Sequence, residues 1–249
     1  MRGGLVAWLL WLMAAPLCAQ VITSAEYNEP TTRYAHGVLG DAVEWGNMTI
    51  TVRRETSQPG AAFQTWTTQS YHLRLPEVLV YEDTAPRLAD LDGDGRPEII
   101  VVESHRDKGA RLAVYGLKDD GVPALLAWTS FIGQRNRWMA PVGVADFDGD
   151  GTIDIAVVDR PHLARRLFVM RYGIGKMKSF AILEPVTNHR IGDDYISGGV
   201  RNCGAGPEMI LLDAGWTQIL TVRWGDGGFQ ARVLAPYEGR ESVAQALAC

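Results

Sequence analysis

The chain has 249 residues, 47% of them hydrophobic and 21% charged, and its formal net charge is −5 at pH 7. This length can accommodate one all-β domain. The acidic balance, together with a sequence that contains no basic patch, argues against nucleic acid as a partner. An enzyme and a binding protein both remain possible on composition alone.

The first 19 residues have the pattern of a secretory signal peptide. Arg2 supplies a positive charge, residues 5–12 form an apolar run, and small residues follow up to Ala19. Cleavage is predicted after Ala19, with cleavage after Ala15 as the alternative because Leu17 is not ideal at the −3 position. The apolar run is too short to span a membrane. The pattern predicts a secreted or periplasmic protein with no membrane span.

Residues 20–80 are assigned to a first strand-rich unit. Segments 33–36, 48–52 and 63–75 are predicted strands because β-branched and aromatic residues are frequent in them. The alignment of this unit with the rest of the chain is ambiguous.

Two acidic loops follow, each with carboxylates at loop positions 1, 3, 5 and 9 and a glycine at position 6. Ca²⁺ takes 6–8 oxygen ligands, and carboxylates at alternate loop positions can converge on one ion. The position-6 glycine permits a sharp turn, and the position-7 carbonyl would add an oxygen. The first loop contains Asp90, Asp92, Asp94, Arg96 and Glu98, and the second contains Asp146, Asp148, Asp150, Thr152 and Asp154.

An EF-hand is the main rival for this spacing, and it requires an acidic residue at position 12 and flanking helices. Position 12 is Val101 in the first loop and Val157 in the second, within β-branched runs that favour strands. The other alternative is an acidic surface turn without metal. Four carboxylates within nine residues repel one another unless a cation neutralises them. The loops therefore predict two Ca²⁺ sites.

The two loops are 56 residues apart, which indicates an internal repeat. Each repeat is predicted to contain four strands, at 87–89, 99–102, 111–115 and 125–131, and at 142–145, 155–158, 166–170 and 179–183. Residues 206–213 match residues 96–103 and indicate a third copy of the repeat. The loop before them has Val200, Asn202 and Gly204 at positions 1, 3 and 5, so no calcium is predicted there. Strands at 218–224 and 229–234 complete it. A helix at 242–248 is predicted from the capping-box spacing of Ser242 and Gln245.

Cys203 and Cys249 are the cysteines that remain after signal cleavage, and an oxidising compartment favours their pairing. Two buried free thiols are the alternative. The bridge would fasten the C-terminal residue to the third loop.

The acidic loop followed by an apolar strand, repeated at this period, resembles the FG-GAP/VCBS repeat. Such repeats build the β-propellers of integrin α subunits and of many bacterial secreted proteins. The resemblance implies an all-β fold, a small β-propeller of about four four-stranded blades with calcium in two hairpin loops. The units would be 20–80, 81–135, 136–190 and 191–249, in a monomer whose ring closes or in a ring completed by a partner.

In that geometry the far ends of the second strands lie opposite the calcium loops. The predicted ligand-binding face comprises Arg87, Glu103, His105, Arg137, Trp138, Asp159, His162, Asp213 and Trp216. The alternative is that each acid caps a strand end or pairs with a neighbouring arginine.

The sequence contains no Gly-x-Ser-x-Gly, His-Glu-x-x-His or phosphate-loop motif. The predicted function is therefore a non-catalytic calcium-binding module that binds a protein or glycan outside the cytoplasm. The alternative is an extracytoplasmic hydrolase or lyase acting on polysaccharide, with Glu103, Asp159, His105 and His162 as acid/base candidates.

Overall fold

A computed structural model of the chain describes residues 20–57 and 61–249, so the predicted signal peptide lies outside the described residues. The described residues form seventeen strands and one short helix, and every strand pair is antiparallel. The prediction of an all-β fold is confirmed. Within the described residues, no helix is both long and apolar enough to cross a membrane.

The first sheet has eight strands and is formed by the N-terminal half of the described chain. The strands are β1 (Gln20–Thr31), β2 (Glu44–Glu55), β3 (Trp66–Arg74), β4 (Leu79–Tyr81), β5 (Arg87–Ala89), β6 (Glu98–His105), β7 (Gly109–Leu117) and β8 (Pro123–Trp128). Their order is β1-β2-β4-β6-β7-β8, with β3 paired to β2 and β5 paired to β6.

Two smaller sheets and the helix follow. The second sheet contains β9 (Met139–Ala145), β10 (Asp154–Asp159), β11 (Arg166–Gly173) and β12 (Lys176–Leu183) in the order β12-β11-β10-β9. The third contains β13 (Val186–Thr187), β14 (Gly199–Arg201), β15 (Glu208–Asp213), β16 (Gln218–Gly225) and β17 (Gly228–Pro236). Its order is β13-β15-β16-β17, with β14 paired to β15, and the helix α1 spans Arg240–Leu247.

The first two predicted units share one sheet instead of forming separate sheets. The short strand β4 is the reason, because Tyr81 pairs with Trp45 of β2 and the same residue pairs with Glu103 of β6. The described residues thus form three sheets where the sequence predicted about four.

The N-terminal unit also differs from its prediction in detail. Strand β1 was not predicted, and the expected strand at 33–36 is a loop. Arg33 Nε donates to the carbonyl of Leu79 at 3.0 Å, and Tyr34 is buried. Side-chain contacts, not a strand ladder, therefore hold this segment in place.

The central strands β6, β10 and β15 are apolar on both faces, and successive side chains in a strand point to opposite sides. In β6, Ile99 and Val101 pack with the first unit, while Ile100 and Val102 pack with the second sheet. In β10, residues 155 and 157 pack with the first sheet, and residues 156 and 158 pack with the third. In β15, residues 209 and 211 pack with the second sheet, and residues 210 and 212 pack with α1. This is why these strands appear as continuous apolar runs in the sequence.

The outer face of the third sheet is covered by α1, whose Val243 packs against Ile210, Leu212 and Ile219. The predicted disulfide is confirmed, since Cys203 and Cys249 are bonded and fasten the end of the helix to the third loop. No closed ring of paired strands is detected among the described residues, so closure of the propeller stays a prediction.

The capping-box prediction is wrong. The N-cap of α1 is Gly239, and the Ser242 hydroxyl donates to the Gly239 carbonyl.

Candidate metal loops and an opposite cavity

The two acidic loops have the same backbone conformation. In each, the position-1 carboxylate accepts hydrogen bonds from the backbone amides of two glycines, at 2.8 and 2.9 Å. The position-6 glycines, Gly95 and Gly151, have φ angles of 84° and 89°, which only glycine adopts without strain. The duplicated spacing in the sequence therefore corresponds to a duplicated turn.

In both loops, the carboxylates of positions 1, 3 and 9 converge, with ligand atoms within 4.8 Å of one another. The groups are Asp90, Asp92 and Glu98, and Asp146, Asp148 and Asp154. The position-5 carboxylates lie outside these groups. Asp94 accepts a hydrogen bond from Arg96 Nε at 2.7 Å, and Asp150 accepts one from the Thr152 amide at 2.9 Å.

The position-9 acids open strands β6 and β10 and are buried. Burial raises the pKa of Glu98 to about 7 and that of Asp154 to about 6, and the neighbouring aspartates add to both shifts. Asp154 Oδ1 is buried and accepts no hydrogen bond, and the nearest cationic group is Arg171 Nε at 3.5 Å. A buried, unsatisfied carboxylate oxygen is costly, and a hard cation would satisfy it. The donor sets of the two loops therefore fit Ca²⁺.

The loops differ in the residue that faces the position-9 acid across the hairpin. In the second loop, Arg171 pairs with Asp154 across the strands, and its guanidinium contacts Asp148 and lies 2.7 Å from Asp150. In the first loop the neighbour is Gly116, where a Cβ atom would lie 3.3 Å from Glu98 Cγ. Only the second loop therefore has an arginine from the adjacent strand among its carboxylates.

The third loop has an acid at position 9 and arginines around it. Glu208 accepts hydrogen bonds from Arg223 Nε at 2.6 Å, from Arg201 Nε at 2.7 Å and from the Thr221 hydroxyl. The hydrogen bond from Arg223 is the main cause that lowers the pKa of Glu208 to about 2. Two guanidinium groups neutralise this carboxylate within the protein.

The predicted acids of the opposite face are held by their own neighbours. Glu103 lies 2.6 Å from Arg111 and accepts a hydrogen bond from Tyr115. Asp159 lies 2.8 Å from Arg160 and 2.7 Å from Arg166.

Asp213 accepts hydrogen bonds from the amides of Thr217 and Gln218 at 2.7 and 2.6 Å. Glu103, Asp159 and Asp213 therefore pair with an arginine or cap a strand end, as the alternative to a ligand-binding face predicts.

The other predicted face residues divide into two groups. Arg87 pairs with Asp83 at 2.5 Å, His105 packs on Phe131, and Trp216 packs on Tyr237. Arg137, Trp138 and His162 instead come together at a cavity of about 300 Å³. Of the four acid/base candidates, only His162 lines this cavity.

Sequence reasoning missed several residues around the cavity. His36 lines it, and its Nδ1 lies 2.5 Å from a carboxylate oxygen of the buried Glu82. His189 Nδ1 lies 2.9 Å from His162 Nε2. No motif joins these positions in the sequence, since they lie on loops far apart in the chain, and only their histidine identity was a signal.

Comparison with known proteins gives one family match. Residues 90–157 match the model of a family described as FG-GAP-like repeat. No curated protein matches the sequence significantly.

One similar solved structure is the crystal structure of a protein from Lactobacillus plantarum, a structural genomics target. The match has 12% sequence identity and a TM-score of 0.37, and it covers 77% of this chain and 54% of that one. This chain thus spans about half the length of that structure.

Proposed function

We propose that the chain is a calcium-stabilised, propeller-type module that binds a protein or glycan outside the cytoplasm without catalysis. The match of residues 90–157 to the FG-GAP-like repeat model supports this proposal. Residues 20–249 would act as one domain. The observation that carries the proposal is the duplicated loop, in which three carboxylates converge on a buried position-9 acid.

The cation would be held by the carboxylates of positions 1, 3 and 9 in each loop. The position-5 aspartates and the carbonyls of Arg96 and Thr152 would complete the oxygen set. Asp94 is paired with Arg96, and Asp150 with Arg171, so each would exchange an arginine for the ion. A bound ion would join the loop to the first residue of a central strand, and this explains how calcium would stabilise the fold.

The proposed location outside the cytoplasm depends on the calcium concentration that such sites need. Extracellular calcium sites bind with dissociation constants of roughly 0.1–1 mM. At ten times its dissociation constant, each ion would stabilise the fold by about 1.4 kcal/mol. The signal-peptide pattern and the disulfide support an oxidising compartment, where calcium of this concentration is available.

The test is thermal unfolding of residues 20–249 with millimolar calcium and with a chelator. We expect the chelator to lower Tm in the wild type and to have no effect in a variant with Asp92→Ala and Asp148→Ala. Glu26→Ala, which removes an exposed carboxylate of β1, serves as the control and should keep the wild-type response. Identical wild-type melting curves in the two conditions would refute the calcium proposal.

A further inference from the structure

We propose that the cavity at the end of the sheets opposite the acidic loops is a binding site for a small ligand that carries one carboxylate group. The cavity is named the four-loop cavity, and its polar lining is His36, Asn136, Arg137, Trp138, Arg160 and His162. The inference deepens the binding part of the proposed function, since it gives the binding module a site and a ligand class.

The topology places the four-loop cavity away from the calcium loops. The second acidic loop leads into the start of β10 at Asp154, and the turn with Arg160 and His162 follows the end of β10 at Asp159. The segment with Arg137 precedes β9, which runs towards the same acidic loop. A ligand in the cavity would therefore not compete with the metal ions for side chains.

Hydrogen bonds between distant loops hold the walls of the cavity. The Asn136 amide donates to the Tyr34 hydroxyl at 3.1 Å, and the Gly192 amide donates to the Val38 carbonyl at 3.1 Å. Trp138 Nε1 donates to the Glu82 carbonyl at 2.7 Å. The residues joined by these hydrogen bonds come from all four predicted units, so the site exists only when the whole chain is folded.

A second layer of buried side chains orients the two lining histidines. Glu82 is completely buried, lies 2.5 Å from His36 Nδ1 and accepts a hydrogen bond from the Ser104 hydroxyl. His189 is 1% exposed and lies 2.9 Å from His162 Nε2. Buried partners that fix the rings of lining side chains are the arrangement expected of a preorganised site.

The charge of the lining favours an anion. No aspartate or glutamate lines the four-loop cavity. Arg160 is already paired with Asp159. Arg137 donates to the carbonyl of Asn136 at 2.9 Å, and no carboxylate in the described part of the chain forms an ion pair with it. This half-buried guanidinium is therefore available to a ligand, and its planar fork matches a carboxylate.

The other lining residues indicate which chemical groups the ligand carries besides its carboxylate. Burial, with His189 nearby, lowers the pKa of His162 to about 4, so its imidazole is neutral at pH 7 and can hydrogen-bond a hydroxyl group. Leu163 and Ile191 are 61% and 70% exposed at the rim and offer an apolar surface. A volume of about 300 Å³ is at the lower end of ligand pockets. The features fit one sugar acid or one terminal amino-acid residue.

Residues with positive φ also occur beside the cavity. Among the described residues, eight that are not glycine have positive φ, and three of them adjoin the cavity: Ala35 at 35°, Asn136 at 53° and Arg160 at 47°. Such conformations cost free energy and persist where the surrounding structure enforces them, often at ligand sites.

The experiment is calorimetric titration of residues 20–249, in millimolar calcium, with four probes. D-glucuronate and N-acetyl-leucine carry a carboxylate on a sugar and on an amino acid, and they distinguish the two sources. D-glucose is the uncharged control, and glucose 6-phosphate carries a phosphate instead. We expect at least one carboxylate probe to bind at least tenfold more tightly than glucose and than the phosphate.

Arg137→Gln should weaken binding of that probe at least tenfold. Arg135→Gln, which changes an exposed arginine outside the cavity lining, should leave it unchanged. Binding of neither carboxylate probe, tighter binding of the phosphate, or equal affinity in Arg137→Gln would overturn the inference. A melting curve of each variant would serve as the control that the variant is folded.

The same melting curves separate this inference from the calcium proposal. A wild type that is stabilised by calcium but binds no carboxylate probe would refute the site alone. A wild type that binds a carboxylate probe through Arg137 but does not respond to calcium would refute the calcium proposal alone.

Discussion

The two acidic loops and the third loop share one architecture but surround the same buried acid with different groups. Each places an acid on the first residue of a central strand, at Glu98, Asp154 and Glu208. In the third loop, Arg201 and Arg223 surround the acid, and the disulfide adds a covalent bond. In the acidic loops, further carboxylates surround it. The third loop therefore supplies its positive charge from the protein, and we propose that a cation from solution takes this place in the acidic loops.

The second loop is intermediate between these two arrangements. Arg171 occupies the strand position that Arg223 occupies in the third loop, since each faces the position-9 acid across its hairpin. The loop nevertheless keeps all four carboxylates. We expect it to bind Ca²⁺ more weakly than the first loop, because the ion must displace a guanidinium that is already in contact with Asp148 and Asp150.

The largest effect is expected when the covalent part of the third loop is removed. Replacing Cys203 and Cys249 together by serine frees the end of α1 from the loop 46 residues earlier in the chain. The chain-entropy model gives a loss of up to roughly 4 kcal/mol in the free energy of unfolding. Urea unfolding in calcium measures it, and unchanged stability would show that the helix is held by its apolar contacts alone.

A smaller effect is expected from the ion pairs of the same loop. Glu208→Gln removes a charge that two arginines share, and we expect a loss of about 2 kcal/mol at pH 7. Since the pKa of Glu208 is lowered from 4.5 to about 2, its charge stabilises the fold above pH 4.5. That contribution decreases as the pH falls from 4.5 to 2.

The pH dependence provides the control for this substitution. Urea unfolding at several pH values should show that the difference between wild type and Glu208→Gln shrinks between pH 4.5 and 2. Glu26→Gln, at an exposed position of β1, should follow the wild type. A difference that stays constant down to pH 2 would mean that the charge of Glu208 is not the cause.

The smallest effect is expected from Arg171→Gly, which gives the second loop the residue found beside the first. In an Asp92→Ala background, we expect only the second loop to titrate with calcium. We expect the substitution to raise its affinity about five- to tenfold, which corresponds to about 1 kcal/mol. Calorimetric titration measures the change, and an unchanged or lower affinity would show that Arg171 does not compete with the ion.

Arg223→Gly is the matched control for that experiment. It removes the equivalent arginine from the third loop, whose positions 1, 3 and 5 carry Val200, Asn202 and Gly204. We expect it to create no calcium site. Calcium binding by this variant, in a chain with both acidic loops disabled, would contradict the requirement for the full carboxylate set.

Much of the fold could be predicted because local patterns determine it. The strands after the loops were recognised from β-branched runs, and the loop turns from the glycines at position 6. The merging of the first two units was missed, since it depends on three residues of β4 that pair with strands on either side. The loop at 33–36 was mistaken for a strand because side-chain contacts, which no local pattern encodes, hold it.

The sequence by itself predicted the acidic loops, the repeat, the disulfide partners and the all-β class. Each depends on residue types at short, regular spacing or, for the disulfide, on the two cysteines that lie outside the predicted signal peptide. Only the tertiary structure decided which carboxylates converge, that Arg171 reaches the second loop, and that α1 covers the last sheet. It also decided that His36, Arg137 and His162 line one cavity. These features join loops and strands that are distant in the chain, so they depend on how the sheets pack and not on any local pattern.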